Sequence, residues 1–183
     1  MEISQELADA INDQINFELY SAYIYLSMAA WFEEAKMPGM GHWMEVQVDE
    51  EFNHAMRFYR HIVERGGRVI MKAIAGPETE WTSPLEIFET AYKHEQVVTE
   101  RIYKIGDIAD KQRDRSAQNM LNWFYNEQTE EEKNTSEIRD QLKMIGDNIQ
   151  ALLMLDAKLG ARAPAGPTPL TSIMPNPAPA GAP

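Results

Sequence analysis

The chain contains no cysteine, which excludes a disulfide framework, a thiolate metal site and cysteine-based catalysis. Absence of cysteine is also the ordinary state of a protein in a reducing compartment. There is no excess of basic residues: 17 Lys and Arg stand against 29 Asp and Glu, for a formal net charge of -12. That balance argues against nucleic acid, which asks for basic patches, and against anionic membranes. A negative surface does concentrate cations. Nor is there a long apolar run, since the stretch Leu19 to Phe32 is too short to cross a bilayer and carries polar groups. The opening Met1-Glu2-Ile3-Ser4 has neither the basic nor the apolar region of a secretion signal, so a cytoplasmic location is expected. Strand signals are nearly absent, and the sequence shows no internal repeat.

What is present is helical pattern. At 183 residues the chain is long enough for one domain with a full hydrophobic core. Ser4 is placed to cap a first helix reaching about Ala35, which Met37-Pro38-Gly39 ends. A second helix is expected from Gly41 or His42 to Gly66-Gly67. After an aperiodic stretch from Arg68 to Ser83, the run Ser83-Pro84-Leu85-Glu86 reads as a capping box opening a third helix that extends to Lys111. The fourth starts after Asp114 or Ser116 and stops at Gly146, and Asp147 is read as the cap of a short fifth helix ending at Gly160. These spans define a bundle over 1–146, a fifth helix over 147–160, and a Pro/Ala-rich tail over 161–183 that reads as disordered. The fifth helix is apolar around most of its circumference, so contact with other subunits is expected.

Short links between the first and second helices, and between the third and fourth, imply antiparallel neighbours. The long middle connection can return the chain along the bundle. The fold expected is all-α, a ferritin-like four-helix bundle with one long crossover plus the short C-terminal helix. One depth check fails to close. Glu18 precedes its turn by about 20 residues and Glu51 follows it by about 12, a mismatch of about 12 Å along the helix axes.

Each long helix interrupts its own apolar stripe near the middle. The inward faces read Ile11, Ile15, Glu18, Ala22, Tyr25, Ala29, Phe32; Met44, Val48, Glu51, Ala55, Phe58, Ile62; Phe88, Ala91, Glu95, Val98, Ile102, Ile105; and Leu121, Phe124, Gln128, Glu131, Ile138, Leu142, Ile145. An ionised carboxylate withdrawn from water costs several kcal/mol unless it is paired or binds a metal. Four such interruptions at one seam point to a metal site inside the bundle. Glu51 and His54 form a Glu-x-x-His pair on one face, and Glu18 has no cation three or four residues away. Four carboxylates (Glu18, Glu51, Glu95, Glu131), one imidazole (His54) and no sulfur suit iron or manganese better than structural zinc, with two divalent ions bridged by Glu51. His61 reads as a packing or surface residue, His94 as no ligand, and His42, at a helix start, carries no signal, while the eleven methionines read as core filler.

Four segments, Asn16–Ser21, Glu50–His54, Tyr92–Gln96 and Glu127–Lys133, resemble those of prokaryotic non-haem ferritins, members of the ferritin-like di-iron superfamily. The resemblance implies that Glu18, Glu51 and His54 hold a first iron. It implies that Glu51, Glu95 and Glu131 hold a second, with Gln128 close by, and that Glu50, Glu127, Glu130 and Glu131 form a third iron site. Tyr25 and Trp123 match aromatics beside the centre. By the same resemblance the activity is a ferroxidase, converting Fe(II) to Fe(III) with dioxygen or hydrogen peroxide. The product would be ferric oxide mineral stored in a hollow homo-oligomeric shell of 24 subunits, the currency of cellular iron homeostasis. Haem is not expected, because Phe52 stands where haem-binding bacterioferritins carry methionine, and Gln128 and Glu131 replace their second Glu-x-x-His. The alternatives are a rubrerythrin-type di-iron oxidase or peroxidase, or a haem-binding bacterioferritin.

Overall fold

The computed structural model describes residues 2–163, so the expected tail, apart from its first three residues, lies outside the described residues. Five helices follow one another: α1 (Gln5–Glu34), α2 (Pro38–Glu64), α3 (Pro84–Lys111), α4 (Arg115–Ile145) and α5 (Ile149–Leu159). Their starts are set by side-chain caps. Ser4 Oγ accepts from Leu7 N at 3.2 Å, Ser83 Oγ from Glu86 N at 3.2 Å, and Asp114 Oδ1 from Ala117 N at 3.0 Å. Two local readings need correction. Glu86 reaches back to the amide and hydroxyl of Thr82 rather than to Ser83, one residue beyond a capping box. Asn148, not Asp147, caps α5, its Oδ1 accepting from Ala151 N at 3.1 Å.

The start of α2 is the more consequential correction. Pro38 occupies the first turn, where its missing N–H is no loss, and the helix begins three residues before the expected Gly41. The depth mismatch thereby shrinks: Glu18 lies sixteen residues before the end of α1 and Glu51 thirteen after the start of α2, an offset of about 4.5 Å that side chains span. The second hairpin is built to the same spacing. Glu95 lies sixteen residues before the end of α3 and Gln128 thirteen after the start of α4. His54 and Glu131 are equivalent in this register. Both links are three residues long and contain one left-handed residue, Lys36 (φ 63°) in the first and Arg113 (φ 55°) in the second.

The crossover runs along α1. Asn12 holds its beginning, donating to Arg68 O at 3.1 Å and accepting from Ile70 N at 2.8 Å, and Ser27 Oγ donates to Glu78 O further along at 2.7 Å. Buried Trp81 anchors its end. The chain thus re-enters where α2 began: Phe88 of α3 packs against Trp43, ring centroids 5.3 Å apart, and α3 runs parallel to α2.

The core is in two halves. One gathers Tyr25, Met28, Phe32, Met44, Phe88 and Leu142, and the other Leu7, Ile11, Phe58, Ile62, Ile102 and Leu121. Each of the four long helices passes from one half to the other through a polar stretch, and Glu18, Ser21, Gln47, Glu51, His54, Glu95, Gln128, Glu131 and Thr135 are buried there. Helix α5 closes one end. Leu155 and Leu159 are buried against the bundle, while Ile149, Leu153 and Met154 stay exposed. Asp156 Oδ1 accepts from Met40 N at 2.8 Å, capping α2, whose own N-cap residue Met37 makes no side-chain cap. Gly39 permits this approach, since a Cβ there would stand 1.9 Å from Asp156 O. Among the described residues no helix is long and apolar enough to cross a membrane.

Candidate metal centre

The four bundle helices deliver six polar side chains to one level. Glu18 from α1, Glu51 and His54 from α2, Glu95 from α3, and Gln128 and Glu131 from α4 are each at most 3 % exposed. Four of them, with neighbouring Glu127, form two overlapping groups. Glu18, Glu51 and His54 present ligand atoms within 4.8 Å of one another, and so do His54, Glu127 and Glu131. His54 is shared, with Nδ1 3.6 Å from Glu51 Oε2 and Nε2 3.6 Å from Glu127 Oε1.

Glu95 belongs to neither group. Its Oε1 accepts from the Tyr25 hydroxyl, and its Oε2 accepts from Gln128 Nε2 at 3.2 Å. The resemblance places Glu95 with Glu51 and Glu131 around one ion, whereas in this conformation its oxygens are engaged by neutral donors. Glu50 is turned to the guanidinium of Arg162, which donates to its Oε2 at 2.5 Å. Glu127 is half-buried and within the outer group, while Glu130 is exposed and outside both. Trp123 packs edge-on to His54 at 5.5 Å, and Arg57 lies over its ring at 3.7 Å. His94 is no part of either group: its Nε2 pairs with Ser21 Oγ at 2.7 Å, and its ring stacks on Phe17.

Burial dominates the electrostatics. It pushes the carboxyls of Glu18 and Glu95 up to about 8, with the Glu51 charge adding in each case. Burial, then Glu95 and Glu51, raises Glu131 well above the usual carboxylate range. Burial would also raise Glu51, but His54 outweighs it and holds that carboxyl below its ordinary value. For His54, burial opposes the charge, yet Glu127 and Glu51 prevail and hold the ring protonated well above the usual imidazole range. The side chains thus neutralise one another with protons that a bound cation would displace.

Three polar atoms here are buried without any hydrogen-bond partner: Glu18 Oε2, Glu51 Oε2 and Gln128 Oε1. All are oxygens. Unsatisfied buried acceptors are rare in folded proteins, and a set of oxygens with one imidazole suits a hard cation or iron.

Two glutamines at the site were not singled out from sequence. Gln14 Nε2 donates to Glu18 Oε1 at 2.9 Å, and Gln47 Nε2 donates to Glu131 Oε2 at 2.7 Å and to Glu51 Oε1 at 3.4 Å. The signal was available: each stands one turn before a stripe-breaking carboxylate, in a Gln-x-x-x-Glu pair. Arg101 and Arg162, which hold these amides, lie too far off in sequence for any local pattern to reveal them.

A four-helix bundle with one long crossover and buried acid or amide side chains projecting inward from all four helices has the architecture of the ferritin-like class. The ferritin-like domain family matches residues 8–145. The chain is 38 % identical over 161 residues to a bacterial non-heme ferritin of Staphylococcus saprophyticus, covering 88 % of this chain and 96 % of that one. It is also 38 % identical over 160 residues to a bacterial non-heme ferritin of Bacteroides fragilis, covering 87 % and 99 %. Among solved structures, an open pore ferritin from the hyperthermophilic archaeon Archaeoglobus fulgidus superposes with a TM-score of 0.87 at 44 % identity, over 88 % of this chain and all of that one. The chain belongs to the ferritin family.

Proposed function

We propose that the chain oxidises Fe(II) at the buried centre and stores the ferric product inside a hollow homo-oligomeric shell. The observation that carries this reading is the three buried oxygens without a hydrogen-bond partner, within a layer of carboxylates that separates two apolar half-cores. Glu18, Glu51 and His54 would receive one Fe(II). Glu131, with Glu51 and with Glu95 once it is released from Tyr25 and Gln128, would receive a second. Iron is the substrate. Two Fe(II) each give up one electron, and dioxygen takes both with two protons to become hydrogen peroxide. With hydrogen peroxide as oxidant, the same two electrons and two protons yield two waters. The outer group of His54, Glu127 and Glu131 would serve a third ion on the way to the mineral. The shell is supported by apolar side chains left bare on the subunit, among them Tyr23, Leu26, Val63, Met71, Ile149 and Met154. A shell of this kind would act in the cytoplasm.

The test is aerobic addition of two Fe(II) per chain to metal-free protein, followed by ferric absorbance, with light scattering to size the particle. The wild type should show a rapid burst on a multi-subunit particle. Glu51→Ala, which removes an oxygen donor serving both ions, should abolish the burst, and an undiminished burst in that variant would overturn the assignment.

A further inference from the structure

Arg162, the third residue beyond α5, is held by five contacts at the edge of the metal centre. Its Nη1 donates to Trp43 O at 3.2 Å and to Gln47 Oε1 at 2.9 Å, and its Nη2 donates to Glu50 Oε2 at 2.5 Å. The guanidinium lies 4.5 Å over the Trp43 ring, and His42 Nε2 donates to the Arg162 carbonyl at 2.9 Å. A further restraint is indirect: Asp156 pins α5 to the start of α2 and so brings the segment to this point.

A guanidinium can only donate hydrogen bonds. Gln47 must therefore present its carbonyl oxygen to Arg162, and its NH2 group is left facing Glu131 and Glu51. Glu50, meanwhile, lies close enough to His54 and Glu127 for their charges to act on it, yet it is occupied by a cation the protein itself supplies. A second arginine repeats the device. Arg101 lies 4.1 Å over the Phe17 ring and donates through Nε to Gln14 Oε1 at 2.9 Å, and Gln14 donates in turn to Glu18. An arginine resting on an aromatic ring thus orients a buried amide toward a site carboxylate twice in one molecule.

We propose that Arg162 is a positioning residue of the metal centre, aiming the Gln47 amide at Glu131 and withholding Glu50 from the outer group of His54, Glu127 and Glu131. The proposal rests on the metal-centre reading above. It couples metal loading to the docking of α5, because the residue that sets both interactions stands directly beyond that helix. Two opposite effects follow from one side chain. Loss of Arg162 frees the Gln47 amide to rotate, which loosens Glu131, and releases Glu50 as an additional carboxylate for an outer ion.

Calorimetric titration of the assembled, full-length protein with Zn2+ alone, a redox-silent probe, tests this on the wild type and two variants. In Arg162→Gln, affinity at the inner sites, those of Glu18, Glu51 and His54 and of Glu51, Glu95 and Glu131, should fall about tenfold, the scale seen when a group supporting a ligand is removed, while the outer group should bind about tenfold more tightly. Arg162→Lys keeps a cation on Glu50 but lacks the planar fork needed to serve Gln47 as well. It should keep the outer affinity of the wild type while showing the inner loss. A merely structural arginine would lower both affinities together, and that outcome overturns the proposal, as do affinities unchanged within about twofold in Arg162→Gln. Wild-type protein that binds no Zn2+ at all would instead overturn the metal-centre reading itself, and a particle of altered size in either variant would assign Arg162 to assembly and overturn its role at the centre.

Discussion

Tyr25 on α1 donates its hydroxyl proton to Glu95 on α3, across a gap of seventy residues in sequence. Burial and the Glu95 charge raise the tyrosine well above its ordinary value, so it remains the donor throughout the physiological range. Tyr25→Phe leaves Glu95 Oε1 buried with no donor, which should destabilise metal-free protein by about 1–3 kcal/mol. The variant should also oxidise iron more slowly, because the carboxylate loses the group that orients it. Denaturant titration and initial ferric absorbance rates check the two effects, and unchanged stability would show that the bond contributes nothing.

Metal-free protein should lose stability as pH rises. Glu18 and Glu95 have carboxyls raised from 4.5 to about 8 in the fold, so between those values the folded chain keeps protons that the unfolded chain has released. Their contribution is fully present below pH 4.5 and is lost as pH passes through about 8. His54, also raised, acts in the same direction, and the lowered Glu51 has already made its contribution at the bottom of the window. Thermal melts of metal-free protein from pH 5 to pH 8.5 should therefore show a falling midpoint. A divalent metal should reverse the trend, since ionised carboxylates bind it better.

Glu18→Gln and Glu95→Gln should each flatten that pH profile and leave metal-free protein as stable as the wild type or more so, because a neutral side chain removes the burial penalty. Metal affinity should fall at the same time. A loss of several kcal/mol in both metal-free variants, read by denaturant titration, would make these acids structural rather than ligating.

Asp156→Ala should detach α5 from the end of the bundle. The carboxylate caps the Met40 amide of α2, and loss of a cap costs about 1 kcal/mol. Truncation before Asp147 removes the whole contact and the exposed Ile149, Leu153 and Met154 face, and should break up the particle on size-exclusion chromatography. Removal of residues beyond Ala163 should leave assembly and iron oxidation intact. A particle that survives loss of α5 but not loss of the tail would reverse these roles.

Much of the architecture was legible in the chain itself. The four apolar stripes and their interruptions are buried as read, save for half-buried Ala22 and Ile145, because amphipathic spacing is a property of each helix alone. Ser4, Ser83, Asp114 and Gly146 end helices where their types imply, since caps act within one turn. The start of α2 was misjudged because its cap comes from Asp156, more than a hundred residues away.

The sequence by itself therefore determined the helices, the two hairpins and the presence of an acid or amide at the mid-level of each long helix, since all of these follow from periods and caps of three or four residues. Only the tertiary structure decided how those groups meet. Tyr25 and Gln128 engage Glu95, His54 stands between two groups, and Arg162 sits on Glu50 and Gln47. Those pairings depend on how each helix is rotated about its axis and how deeply α5 docks. Packing between distant segments sets both, and no local period encodes them.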